Sequence, residues 1–105
     1  MTVGDFSRLG ISELADMIRT GDTNAEDVTA ACVRQARAID QATHCFVEIE
    51  EESALQAARA LDKHLAQGKP ALPLHGVPLA HKDMYCRTGK VRGAGSPIFR
   101  DFRSD

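Results

Sequence analysis

Leu74-His75-Gly76-Val77-Pro78-Leu79-Ala80-His81-Lys82-Asp83 carries an apolar run straight into a lysine and an aspartate. Pro78 has no backbone N–H to give to a ladder. It belongs at the beginning or on the edge of a strand, which leaves Leu79 to Lys82 as the part expected to pair. A charged lysine at the end of such a strand is costly to bury, so enclosure would push its amine towards the neutral form, and a neutral amine is a general base. Residue type alone favours a plainer arrangement in which Lys82 turns out to solvent. The surrounding sequence has to choose between the two.

Upstream, the chain reads as three helices. Ile11, Leu14, Ala15 and Ile18 recur at helical spacing, with Ser12 available as a cap and Gly21 placed to stop the helix. Thr23-Asn24-Ala25-Glu26 has the capping-box pattern, in which the Thr and Glu side chains each satisfy a free backbone donor. Val28, Cys32, Ala36 and Ile39 then line one face up to Asp40, which makes Cys32 a core residue rather than a reactive one. Cys45 to Ile49 is a short β-prone run. A third helix is expected from about Glu51, with Ala54, Ala57, Ala58, Leu61 and Leu65 inward and Gly68 and Pro70 ending it. Negative charge favours a helix amino end, so Glu50-Glu51-Glu52 reads as a solvated first turn and not as a metal site.

After the third helix, Pro70, Pro73, Gly76 and Pro78 forbid continuous helix and imply an extended connector. Beyond Lys82, Gly89, Gly93 and Gly95 allow backbone conformations that other residues resist, and this stretch reads as a loop. The chain thus divides into a helical lead-in, residues 1–70, and a lysine-block strand with its glycine-rich loop, residues 71–105.

Bulk properties remove several function classes. The chain has 105 residues, 43% hydrophobic and 27% charged, with a formal net charge of -2, so disordered and fibrous classes drop out. No apolar run approaches the length of a membrane helix, and Met1 to Arg8 lack the pattern of a signal peptide, so a cytoplasmic protein is expected. Cys32, Cys45 and Cys86 are an odd number without a close pair and read as reduced thiols. Up to residue 80 there are 7 basic and 12 acidic residues, and from His81 onward 6 basic and 3 acidic. That basic tail interleaves only Tyr85, Phe99 and Phe102 and carries no binding module, which argues against nucleic acid as a partner. His75, His81 and Cys86 lack metal-ligand spacing, and no cofactor is expected. A Cys86 thiolate activated by His81 has equally little support. His44 and His64 read as surface residues. Asp83 is a candidate polar partner for Lys82 or for the loop that follows.

The stretch from Leu74 to Asp83, followed by Ala94-Gly95-Ser96, resembles the first signature block of the amidase-signature family, whose usual form is L-x-G-[VI]-P-[VIL]-x-x-K-D and then a Gly-Ser about a dozen residues on. The helical region from Ile11 to Gln67 resembles that family's lead-in in order and spacing. The likeness covers nearly the whole chain but is diagnostic only from Leu74 to Ser96.

The resemblance implies an α/β fold: the amino-terminal portion of an α/β/α sandwich with a mixed sheet, contributing three helices plus short strands. It also implies that Lys82 is the lysine of a Ser-cisSer-Lys triad that hydrolyses carboxamide C–N bonds of a small-molecule substrate. The family's Gly-Ser-Ser-Gly-Gly-Ser block, which supplies both serines, is not among the 105 residues. Ser96 matches the structural Gly-Ser of the first block, and Ser7, Ser12, Ser53 and Ser104 have no supporting context, so no nucleophile is assigned. The chain is therefore expected to be an incomplete amidase domain, inactive alone, with open strand edges that favour self-association. The motif does not separate a free-standing amidase from the A subunit of a glutamyl-tRNA amidotransferase. A different class of reading is a non-catalytic helical interaction module whose strand pairs with another protein's sheet.

Overall fold

The computed structural model describes residues 6–99 and 103–105. The leader reading of Met1 to Arg8 lies partly outside the described residues, and Phe102 lies wholly outside them. Three helices dominate: α1 (Ile11–Thr20), α2 (Ala25–Thr43) and α3 (Glu51–Ala66). No helix among the described residues is long and apolar enough to cross a membrane.

α1 ends as expected at Gly21, whose left-handed φ of 87° lets its N–H reach the Ile18 carbonyl. Its start differs. Gly10 is the N-cap and makes no side-chain cap bond, which places Ser12 inside the first turn. α2 is also capped one residue later than its capping-box pattern predicts. Asn24, not Thr23, accepts from the Asp27 N–H at 2.8 Å, and the Asn24 amide bonds the Asp27 carboxylate at 3.1 Å. Asn is as good a cap as Thr or better, so the neighbouring residue wins the position. Glu26 is thereby free to pair with Arg59 of α3 at 2.8 Å.

α2 and α3 pack against each other, and α1 joins them through Leu14 and Ile18. Leu14, Ile18 and Val28 form the buried cluster, with Phe6, Leu9, Cys32, Leu65 and Val77 packed on it. Full burial of Val28 contributes about 1.5–3 kcal/mol. Cys32 borders this cluster, and burial pushes its thiol above the ordinary value, in keeping with a packing role. On α3, Ala58 is buried and Ala54, Leu61 and Leu65 are half-buried, whereas Ala57 faces out.

One tie between the helices is invisible in local sequence patterns. The Asp62 carboxylate of α3 reaches the amino end of α2, accepting from Ala25 N–H at 2.7 Å and from Glu26 N–H at 3.0 Å. These are two of the donors a helix start leaves unpaired, and a negative group is favoured there. Replacing Asp62 with alanine should cost about 1–2 kcal/mol. Asp62→Asn, which keeps one acceptor, should cost less; urea denaturation of the two variants checks the order.

Neither expected strand forms among the described residues. Cys45 to Ile49 is irregular, and Leu79 to Lys82 is irregular and unpaired: among the described residues no backbone hydrogen bond uses the N–H of Leu79, Ala80, His81 or Lys82. The only pairings among these residues are isolated bridges, Thr88 with Ser104 and Val91 with Arg103. The three expected helices are present, and the expected mixed sheet is not seen among the described residues. A strand exists only when a neighbour supplies its ladder partners, and no described segment pairs with this one.

Candidate active-site lysine and its loop

The lysine block is seated at its beginning and free at its end. Successive turns, His75 N–H to Leu72 O and Val77 N–H to Leu74 O, both at 3.1 Å, fold residues 72–77 against the helices. His75 is buried, its Nε2 lying 3.0 Å from the Leu61 carbonyl, which requires the proton on that nitrogen. Its ring tilts against that of His64, 5.4 Å between centroids, and His64 in turn reaches the Pro70 carbonyl at 2.9 Å. His64 is therefore half-buried and engaged, not the simple surface residue expected. Gly76 is buried with φ 79°, and Val77 packs on the core.

From Leu79 to Lys82 the chain is exposed. Leu79 is 66% exposed, and His81 and Lys82 are exposed as well. The enclosure expected of Lys82 is not present among the described residues, because residues 79–82 have no layer over them. The Lys82 amine has no hydrogen bond or ion pair there. Its carbonyl accepts from Tyr85 N–H at 3.1 Å, so the chain turns immediately after it.

Asp83 organises the loop that follows, one of the two roles considered for it. Its carboxylate accepts from Gly93 N–H at 3.0 Å and its backbone carbonyl from Ala94 N–H at 2.8 Å. A Cβ on Gly93 would lie 2.8 Å from the Asp83 carboxylate, so glycine there permits the contact. Within the closed loop, Lys90 N–H bonds the Arg87 carbonyl at 2.9 Å, and this turn presents both side chains to Glu50 at the start of α3. Arg87 lies 2.8 Å from Glu50 Oε2 and Lys90 3.0 Å from Glu50 Oε1. Two residues of the acidic cluster are thus committed to ion pairs, Glu50 here and Glu51 with Arg37.

Hydrogen bonds from Arg87 and then Lys90 hold the Glu50 carboxyl below its ordinary value of 4.5. A depressed carboxylate stabilises the folded chain fully above its unfolded pKa, and that contribution decays as pH falls through the folded value. The stability difference between wild type and Glu50→Gln should therefore be constant near neutrality and vanish on acidification below about pH 4.5, read from denaturation midpoints across pH. Sequence reading missed this tie. The change of charge sign near residue 80, with two cations three apart around Gly89, was the available signal.

The other candidates are not brought together. His81 lies edge-on to Tyr85, His75 against His64, and Cys86 near Arg92, and no group of three metal-ligating side chains occurs among the described residues. Ser96 accepts from Ile98 N–H at 3.3 Å, as the opening of the short 3-10 turn at Pro97–Phe99. All three cysteines are free.

A family model described as Amidase matches residues 27–105, which takes in α2 from its third residue, α3 and the whole lysine block. The chain belongs to the amidase family. It is 39% identical over 99 residues to the A subunit of the glutamyl-tRNA(Gln) amidotransferase of Salinispora arenicola, covering 94% of this chain and 20% of that protein. It is 38% identical over 98 residues to a Mycobacterium tuberculosis protein named as an amidase, AmiD, covering 93% of this chain and 21% of that one. A solved structure, an inhibitor-bound form of a vestigial protein complex related to the origins of an s-triazine catabolic enzyme, superposes with a TM-score of 0.86 at 30% identity, over 92% of this chain and 21% of its own. The chain spans about a fifth of the length of the curated relatives it matches.

Proposed function

We propose that these residues are the amino-terminal part of an enzyme that hydrolyses carboxamide C–N bonds, with Lys82 as the base of a Ser-cisSer-Lys triad. The neutral Lys82 amine takes a proton from a bridging serine, which takes one from the nucleophilic serine as that oxygen attacks the amide carbonyl. Both serines, and the backbone donors for the oxyanion, come from a Gly-Ser-Ser-Gly-Gly-Ser segment beyond residue 105. The exposed apolar side chains of Leu79, Met84 and Tyr85 are the surface on which that polypeptide would pack. Packing there would desolvate the amine and flank residues 79–82 with the neighbours of a mixed sheet. The observation that carries this reading is the lysine block itself, inside the matched region and with its amine uncommitted among the described residues.

The test begins with the reading frame that contains these codons. Its continuation should encode the serine block, and its product should release ammonia from simple carboxamides. A continuation without that block in any frame would sink the proposal.

A second reading, favoured by the name of the Salinispora relative, makes the parent the A subunit of an amidotransferase, with glutamine as the amide and the ammonia passed on rather than released. Glutamine-dependent amidation of an acceptor by the intact protein, in the presence of its partner proteins, separates it from free hydrolysis.

A further inference from the structure

The loop after Lys82 has little apolar burial to fix it: Met84 is 51% exposed, Tyr85 60% and Val91 42%. Backbone bonds tie it to Ser104, from Gly89 N–H to the Ser104 carbonyl at 2.7 Å and from Ser104 N–H to the Lys90 carbonyl at 3.2 Å, and ion pairs tie it to the start of α3. The Arg87–Lys90 turn aims two cations at one carboxylate, each taking a different oxygen of Glu50. An isolated surface ion pair contributes little, but here a hydrogen-bonded turn pre-forms both partners and the Glu50 side chain is only 23% exposed. Glu50 caps α3 through its backbone alone, its carbonyl accepting from Ala54 N–H at 3.0 Å, while its side chain makes no cap bond. At the other end of the loop, Asp83 ties Gly93 and Ala94 back to the residue next to Lys82. The loop is thus held at both ends, at Glu50 through Arg87 and Lys90 and at Asp83, the residue next to Lys82, through Gly93 and Ala94.

We propose that Glu50 is a positioning residue: by gripping Arg87 and Lys90 it fixes the loop that begins at Lys82, and so sets where the amine stands relative to the helices. The role rests on the catalytic reading of Lys82 given above.

The experiment uses the intact protein and three variants: Glu50→Gln, a charge exchange (Glu50→Lys with Arg87→Glu and Lys90→Glu), and Lys82→Ala. In Glu50→Gln, amides of residues 84–92 should exchange hydrogen at least about tenfold faster, while those of α2 and α3 keep wild-type rates. Its kcat for carboxamide hydrolysis should fall roughly ten- to hundredfold with KM nearly unchanged, as for a misplaced catalytic group. The charge exchange should recover much of both. Unchanged loop exchange in Glu50→Gln overturns the proposal, and so does faster exchange with wild-type kcat. Lys82→Ala reports on the catalytic reading separately: full activity there removes that reading and the positioning role with it, while the exchange data still show whether the grip exists.

Discussion

Alanine in place of Gly76 is expected to lower stability by about 2–5 kcal/mol, a large part of the total for a small domain. Two costs combine. With φ at 79°, the residue occupies the left-handed region, where a Cβ costs about 1–2 kcal/mol. That Cβ would also lie 2.8 Å from the Ala25 Cβ and 3.3 Å from two carbons of Ile18, and overpacking of this kind costs typically about 1–3 kcal/mol. Ala25 cannot swing away, because its Cβ is fixed to the backbone at the first turn of α2, held by Asp62. Gly68→Ala is the matched control. It has φ 77° but nothing within 4 Å of the added carbon, so it should show only the backbone cost, about 1–2 kcal/mol. Equal losses in the two variants, measured by urea denaturation, would show that the contact with α1 and α2 is not tight.

The second large effect is on chemistry. In the intact protein, Lys82→Ala should reduce kcat for carboxamide hydrolysis by roughly 10⁴-fold or more, the scale seen when a member of a catalytic triad is removed. Lys82→Arg should be nearly as damaging. Arginine keeps the positive charge and the reach but is not deprotonated near neutral pH, so it cannot take the serine proton. A Lys82→Arg enzyme with substantial activity would mean that the side chain acts as a fixed charge and not as a base. In the 105-residue chain itself stability should hardly move in either variant, since Lys82 is exposed and its amine unpaired among the described residues; a shift within about 0.5 kcal/mol is expected.

The helices were legible in the sequence because their signals are local. Gly21 and Gly68 mark stops through backbone freedom, and Leu14, Ile18, Val28 and Leu65 mark the inner faces through spacing alone. Caps were legible only to within one or two residues, since Thr23 and Asn24 are adjacent competitors and Gly10 can start a helix without a side chain. The lysine block was readable as a motif but not as a conformation. Val, Ile and Phe between Cys45 and Ile49, or Leu79 before Lys82, prefer a pleated surface only if one is offered. Asp62 at the start of α2 left no signal in the sequence, and Glu50 under Arg87 left only the change of charge sign near residue 80. Each joins residues about forty positions apart, and no periodic pattern encodes such a meeting.

The Asp62 cap also bears on the order in which the chain can be made. Residues 25 and 26 leave the ribosome long before residue 62, so during synthesis their amides have only water to bond. The opening turn of α2 then stays frayed until a carboxylate translated 37 residues after Ala25 arrives to close it, which links the finishing of one helix to the docking of the next.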